Sequence, residues 1–317
     1  MQAIGLDQKG IRFTENHPLP SLSDNEVMVD VIKAGICETD LQLARGYMGF
    51  QGVLGHEFVG IASSGKFRGQ RVVGEINCNC RNCCLCQSDL GNHCDQRTVI
   101  GILNHDGSFA EQVAIPESNL HLVPDTITDD QAVLIEPLAA ALEIGTQIDL
   151  TKCQQAVILG DGRLANLCAQ VIARQVTELT VVGKHSKKLS RFKKLGISTR
   201  SLEGLDLNKT FDLVVDCTGS ETGLPLALKL VKPRGTIVMK TTVAQQHNLS
   251  LAPIVIDEIT LVGSRCGPFD LAIEMLKAGH LDLEGMITHR FPLRDAERAF
   301  AAAIAPDAFK VVFEIAE

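Results

Sequence analysis

Short apolar stretches alternate with polar, glycine-rich breaks through the first 140 residues. VMVDVIKAGI (27–36), FVGIAS (58–63) and GQRVVGEI (69–76) read as β-strands bounded by turn residues. From about Gln154 the pattern changes. The apolar runs AVILG (156–160), LTVVG (179–183), FDLVVDCTG (211–219), GTIVMK (235–240) and ITLVGS (259–264) predict strands. Helical stretches follow the first three of them: LANLCAQVIARQ (164–175), SKKLSRFKKLG (186–196) and TGLPLALKLV (222–231). Fully apolar strands alternating with helices predict the α/β class, with a doubly wound parallel sheet. Beyond Phe269 the chain predicts the helices LAIEMLKAG (271–279) and AERAFAAAIA (296–305) and the strand KVVFEI (310–315). The sequence contains no internal repeat and no low-complexity linker.

A chain of 317 residues, 45% of them hydrophobic, has room for two sizeable cores. Its formal net charge is −8, with no Trp and a single Tyr. That excludes a general nucleic-acid binder, which needs basic surface and stacking aromatics. No stretch approaches the roughly 18 apolar residues of a membrane span. The N-terminus MQAIGLDQKGIRF lacks a basic n-region and an apolar h-region, so a cytoplasmic location is expected.

The cysteines change the picture more than the bulk numbers do. Eleven is an odd count in a chain without an export signal, which argues against a disulfide framework. Six of them (Cys78, Cys80, Cys83, Cys84, Cys86 and Cys94) fall within 17 residues. The spacing Cys80-x2-Cys83-x2-Cys86-x7-Cys94 can close a tetrahedral zinc site of structural type. The bland alternative is a group of unrelated buried thiols. Cys78 and Cys84 are surplus, and either could substitute in the tetrad. Asn77, Asn79 and Asn82 fit the turns such a loop needs.

A second set of metal-ligating residues is spread along the first half. Cys37 lies in Gly35-Ile36-Cys37-Glu38-Thr39-Asp40, and His56 and Glu57 follow Gly55. Alone, Cys37 reads as a core thiol and His56 as a hydrogen-bonded surface residue. Together they make a candidate site with an open position for water or substrate. Asp40 could accept the second imidazole N–H of His56 and fix its tautomer. Glu136 sits in the apolar run AVLIEPLAAALEIG, where a carboxylate is costly unless paired or metal-bound. It reads either as a ligand or as an acid in the first turn of a helix, with Pro137 beside it. Glu143 reads as ordinary surface.

Gly160-Asp161-Gly162-Arg163-Leu164-Ala165 follows an apolar strand and opens a helix. In that context G-x-G-x-x-A is a dinucleotide fingerprint. Gly160 makes the turn, Gly162 lets the backbone approach a pyrophosphate, and Ala165 keeps helix and sheet close. About 20 residues further on, NAD-binding sheets carry an acid for the ribose hydroxyls. Here that position is Gly183, followed by Lys184, His185, Ser186 and Lys187. The glycine reads as room for a 2′-phosphate. Lys184, with Ser186 or Lys187, reads as its donors, although most of the later basic residues fit a solvated helix face. The expected cofactor is NADP, with NAD possible.

These motifs together resemble the zinc-dependent alcohol dehydrogenases of the medium-chain dehydrogenase/reductase superfamily. The resemblance spans the whole chain and includes the tail THRFPLRDAERAF (288–300). Glu136-Pro137-Leu138-Ala139 is similar to the polyol, threonine and glucose dehydrogenase subgroup. The resemblance implies a GroES-like β-rich catalytic domain over 1–143, with 268–317 returning to it, and a Rossmann domain over 144–267. It implies one structural zinc on the four cysteines and one catalytic zinc on Cys37 and His56. Glu57 and Glu136 would exchange as ligands or hold the zinc water, and Thr39 would take the substrate's hydroxyl proton. Two positions depart from the family. Gln42 stands where many relatives complete the proton relay with a histidine, and Glu38 where some carry a basic residue.

The activity so implied is hydride transfer between a nicotinamide cofactor and an alcohol, polyol or sugar. A zinc-independent quinone or enone reductase of the same fold, or a nucleotide-binding regulatory protein without catalysis, would not need Cys37, His56, Glu57 and Glu136 together. The expected partner is a small-molecule alcohol or carbonyl, with neither nucleic acid nor membrane. A homo-oligomer, dimer or tetramer, is expected from the resemblance and from the late apolar strand ITLVGS.

Overall fold

A computed structural model describes residues 1–243 and 249–316. The chain divides into two compact units, one of Met1–Glu136 with Phe269–Glu317 and one of Pro137–Pro268. The helix Ile135–Gln147 starts at this division, so the second unit begins a few residues earlier than position 144.

The first unit is built on the strand Glu26–Gly35. Its burial alternates with period two until the last residues, which are buried on both faces. It pairs antiparallel with Glu57–Ala62, Gln112–Pro116 and the C-terminal strand Lys310–Glu314. Those pairings carry the His56–Glu57 turn and Lys310 to the end of the central strand, where Cys37 begins the helix Glu38–Ala44. Phe109 and Phe313 pack edge to face at 4.9 Å beneath this end. Phe109 also occupies the space beside Gly55: a Cβ there would lie 2.3 Å from its ring, and φ is +95°.

The second unit holds a six-stranded parallel sheet. In space its strands run Ser198–Ser201, Glu178–Gly183, Gln155–Leu159, Phe211–Asp216, Val231–Met239, Thr260–Gly263. In chain order that is 3-2-1-4-5-6, the doubly wound arrangement. In sheets so wound ligands bind outside the carboxyl ends of the first and fourth strands, where the winding reverses. Gly160 and Cys217 stand at those two ends.

Most predicted strands and helices are present within a few residues of their expected bounds. The expected helix 164–175 is Arg163–Ile172, and the expected strand 235–240 is the longer Val231–Met239. Several elements lay outside the prediction, among them the strands Ala3–Asp7, Gln112–Pro116 and Ile287–Phe291 of the first unit. The edge strand Ser198–Ser201 is polar and mostly exposed, and the short helix Ala252–Ile256 buries none of its residues.

Candidate metal centres and dinucleotide site

The four-cysteine lobe folds around a short helix, Cys84–Gln87, with Cys83 at its N-cap. Cys80, Cys83, Cys86 and Cys94 converge, and neighbouring sulfurs are 3.5 to 3.9 Å apart. A zinc ion with Zn–S bonds of about 2.3 Å at tetrahedral angles requires sulfurs about 3.8 Å apart. The donor set therefore fits zinc with no position left open. The surplus thiols lie outside the cluster. Cys84 is exposed, and burial pushes the Cys78 thiol up to about 12, so it stays protonated. The left-handed turns of the lobe fall on Arg81 and Asp89, while Asn77 is buried in a two-residue strand. Of the three asparagines the sequence suggested as turn formers, Asn82 lies in the bend 81–83, whereas Asn77 does not lie in a turn.

The second cluster joins two segments, one with Cys37 and one with His56 and Glu57. Ligand atoms of Cys37, His56 and Glu57 all lie within 4.8 Å of one another. Asp40 ties those two segments together. Its Oδ2 accepts the N–H of Cys37 at 2.8 Å, and its Oδ1 accepts the N–H of Gly55 at 3.2 Å. His56 Nδ1 lies 3.5 Å from Asp40 Oδ1, yet it is buried without a hydrogen bond among the described residues. Burial works against the imidazolium of His56. Asp40 and Cys37 outweigh it and hold the pKa well above the usual value. One thiol, one imidazole and one carboxylate suit zinc, and three protein ligands leave a fourth position for another oxygen. Thr39 places its hydroxyl 3.8 Å from Cys37 Sγ. Gln42 is buried, and its amide donates to Glu38 Oε1 at 3.1 Å. It cannot carry a proton onward as a histidine would.

Glu136 stands in the first turn of the helix Ile135–Gln147 and is half-buried. It is not in the converging group, which comprises Cys37, His56 and Glu57.

Lys310 escaped sequence reasoning. It is fully buried, its ammonium pairs with Glu57 Oε2, and it donates to the carbonyl of Ile36 at 3.3 Å. A charge stripped of water is tolerated only when paired and hydrogen-bonded. The pair also explains Gly35, where a Cβ would lie 2.7 Å from Glu57 Oε2 and 3.2 Å from Lys310 Cδ. The available signal was a single lysine opening a C-terminal strand whose next three residues are apolar.

In the second unit Gly160 turns at φ +114°, and a Cβ there would lie 2.6 Å from the carbonyl oxygen of Cys217. Gly162 is the N-cap of the helix Arg163–Ile172 with open space beside it, and Ala165 is fully buried. These are the approach and the close packing that a pyrophosphate at a helix N-terminus requires.

The end of the second strand differs from expectation. The room that Gly183 leaves is filled by the Asp161 side chain: a Cβ on Gly183 would lie 2.4 Å from Asp161 Oδ2. That oxygen accepts the backbone N–H groups of Lys184 at 2.8 Å and His185 at 2.7 Å, and His185 Nδ1 lies 3.0 Å from Oδ1. Gly183 therefore accommodates a neighbouring carboxylate rather than a phosphate. Lys184, Ser186 and Lys187 remain exposed, the last two at the start of the helix Ser186–Lys194.

The family model described as Alcohol dehydrogenase GroES-like domain matches residues 23–125, and the one described as Zinc-binding dehydrogenase matches 162–278. The chain is 28% identical to an L-threonine 3-dehydrogenase of Chelativorans sp. (strain BNC1), covering 95% of each chain. It is 26% identical to a D-xylulose reductase A, named as probable, of Aspergillus clavatus, covering 90% of this chain and 88% of the relative. Among solved structures, an alcohol dehydrogenase of Thermus sp. ATN1 superimposes with a TM-score of 0.88 at 24% identity over the whole of both chains, a likeness of fold.

Proposed function

The chain belongs to the zinc-dependent alcohol dehydrogenase family of medium-chain dehydrogenases/reductases, and from that premise we propose the roles of its residues and its choice of cofactor. As a member it is an oxidoreductase that moves hydride between a nicotinamide cofactor and an alcohol, polyol or sugar. The observation that carries the residue roles is the convergence of Cys37, His56 and Glu57 beside the Thr39 hydroxyl.

When bound, zinc supplies Lewis acidity to the substrate oxygen, and the nicotinamide accepts or returns the hydride. Cys37 and His56 hold the metal, with Glu57 or Glu136 completing its ligands. Asp40 orients His56 and fixes the loop that carries it. Thr39 receives the substrate's hydroxyl proton. The relay passes beyond Thr39 to solvent or to the cofactor ribose, because Gln42 is committed to Glu38. Gly160, Gly162 and the N-terminus at Arg163 and Leu164 receive the pyrophosphate.

The preferred cofactor in this reading is NADP(H). The buried Asp161 carboxylate is occupied by the N–H groups of Lys184 and His185 and by the His185 ring, so it offers the ribose diol no open acceptor. Lys184 is exposed at the strand end with Ser186 and Lys187 beyond it, and these supply donors for a 2′-phosphate.

Oxidation of a panel of alcohols, polyols and sugars with NADP⁺ and NAD⁺ tests the reading. A higher kcat/KM with NADP⁺ is expected, and a ratio below unity overturns the preference. Thr39→Val should abolish turnover while zinc content is kept, since valine has the shape without the hydroxyl.

The substrate partner is accompanied by a second copy of the chain. Among the described residues the edge strand Thr260–Gly263 has a neighbour on one side only, Leu261 is exposed on it, and Val255 and Ile256, shortly before it in the chain, are three-quarters exposed. An open apolar edge of this kind is covered by pairing with an equal. Light scattering at micromolar concentration should give a dimer or tetramer mass, and a monomer mass refutes the assignment.

A further inference from the structure

Six cysteines lie outside the two metal clusters, and Cys168 and Cys217 are brought together from 49 residues apart in sequence. Their sulfurs are 3.9 Å apart, with the Cys217 thiol donating to Cys168 Sγ. Cys168 is fully buried on the helix Arg163–Ile172, and Cys217 is half-buried just past the strand Phe211–Asp216. Both are free thiols.

Their position matters more than their proximity. Cys217 ends the fourth strand, where the winding of the sheet reverses. Its backbone N–H donates to the carbonyl of Leu159 at 2.8 Å, and its own carbonyl lies against Gly160. Cys168 rides on the helix that Gly162 caps. The two sulfurs thus connect both sides of the glycine turn.

We propose that Cys168 and Cys217 are a redox pair: a hydroperoxide closes them into a reversible disulfide that weakens dinucleotide binding. The consequence for binding rests on the dinucleotide reading of the glycine turn, whereas formation of the bond does not.

Access makes Cys217 the attacking sulfur, since Cys168 is fully buried and Cys217 only half-buried. The Lys240 ammonium, fixed by the carbonyls of Ala140 and Arg265 and by Ser264 Oγ, favours the thiolate form of the pair. In the first step Cys217 gives up its proton and its thiolate attacks an oxygen of hydrogen peroxide. The O–O bond breaks, hydroxide leaves and takes up that proton as water, and Cys217 becomes a sulfenic acid. In the second, Cys168 gives up its proton and its sulfur attacks that of Cys217. The S–O bond breaks, hydroxide leaves with that proton as water, and the S–S bond forms. Two thiols are oxidised and one hydrogen peroxide is reduced.

Closing the bond brings sulfurs now 3.9 Å apart to about 2.05 Å. A close-packed interior transmits such a movement rather than absorbing it. It must shift the helix or the Cys217 carbonyl, which already sits at the limit of approach to Gly160. Linkage requires the reverse as well: bound dinucleotide must disfavour the disulfide by the factor by which the disulfide weakens binding.

The zinc-loaded protein is treated with hydrogen peroxide, alone and with saturating NADPH, and its peptides are mapped without reduction. The expected result is a Cys168–Cys217 link that dithiothreitol removes and NADPH suppresses. NADPH binding, followed by its fluorescence, should weaken about tenfold on oxidation and recover on reduction. Cys217→Ala should bind NADPH as the reduced protein does and keep that affinity through peroxide. Peptide maps with oxidised Cys37 or Cys80 but no Cys168–Cys217 link overturn the proposal. A link that leaves NADPH affinity unchanged overturns the switch. Failure of the reduced protein to bind either NADPH or NADH refutes the dinucleotide reading and with it the proposed consequence, while the map still decides whether the bond forms.

Discussion

Gly183 owes its identity to a side chain from elsewhere in the loop. Asp161 crosses from the glycine turn and lies against it, and its carboxylate collects the next two backbone N–H groups. The substitution that would normally convert such a strand end to NAD recognition is Gly183→Asp. Here it sets one carboxylate upon another at a contact of 2.4 Å from the new Cβ. Overpacking of this kind costs about 1–3 kcal/mol, and repulsion between like charges adds to it. Gly183→Asp is therefore expected to lower the melting temperature and to weaken binding of both NADP⁺ and NAD⁺ instead of exchanging one for the other. Adding Asp161→Ser should restore the stability. Calorimetry with dinucleotide titration reads both effects, and a clean gain of NAD⁺ affinity from the single substitution would show that Asp161 moves aside freely. The sequence could not show this arrangement. Glycine at 183 fits a phosphate as well as a carboxylate, and only the path of the Asp161 side chain separates the two.

Elements were legible in proportion to how much apolar surface they bury. Gln155–Leu159 and Phe211–Asp216 are central strands, and their buried stretches 156–159 and 213–215 read as apolar runs. Ser198–Ser201 has one neighbour and three exposed residues of four, so no periodicity marks it. The helix Phe269–Lys277 was legible by its pattern, but its attachment was not. Asp270 at its start meets His121 Nδ1 at 2.8 Å, while His121 Nε2 meets Glu75 at 2.9 Å and the ring lies over Phe269. Burial disfavours the charged ring, but Glu75 and Asp270 outweigh it and raise the pKa of His121 above the usual 6.5. A pKa raised on folding gives stability that is complete below the unfolded value and fades as pH rises through the folded one. The wild-type protein should thus exceed His121→Gln in melting temperature near pH 6, with the gap narrowing as pH rises above the usual histidine range. A gap independent of pH would mean that the ring acts by packing alone.

Over the whole molecule, the metal chemistry was the most legible feature because its ligands are chemically distinctive and lie close together in sequence. What encloses it was not. Lys310 reaches Glu57 across 253 residues, and only the return of the C-terminal strand to Glu26–Gly35 makes them neighbours. The two clusters differ in a way that elemental analysis can read. Four sulfurs at tetrahedral separations leave a metal no open position and surround it with four thiolates. At the other cluster the ligands are mixed and Glu57 is shared with Lys310, so its hold on the metal competes with a buried ion pair. His56, with its pKa raised by Asp40, must also lose a proton before it can ligate. The active protein is expected to contain two zinc ions per chain. Dialysis against a chelator should remove one together with activity, and the second should leave only under denaturing conditions. Mild acid should release the first ion sooner, because protons and zinc compete for His56. Fully active protein with a single zinc, or loss of both ions in one step, would contradict this division of labour between a closed site and an open one.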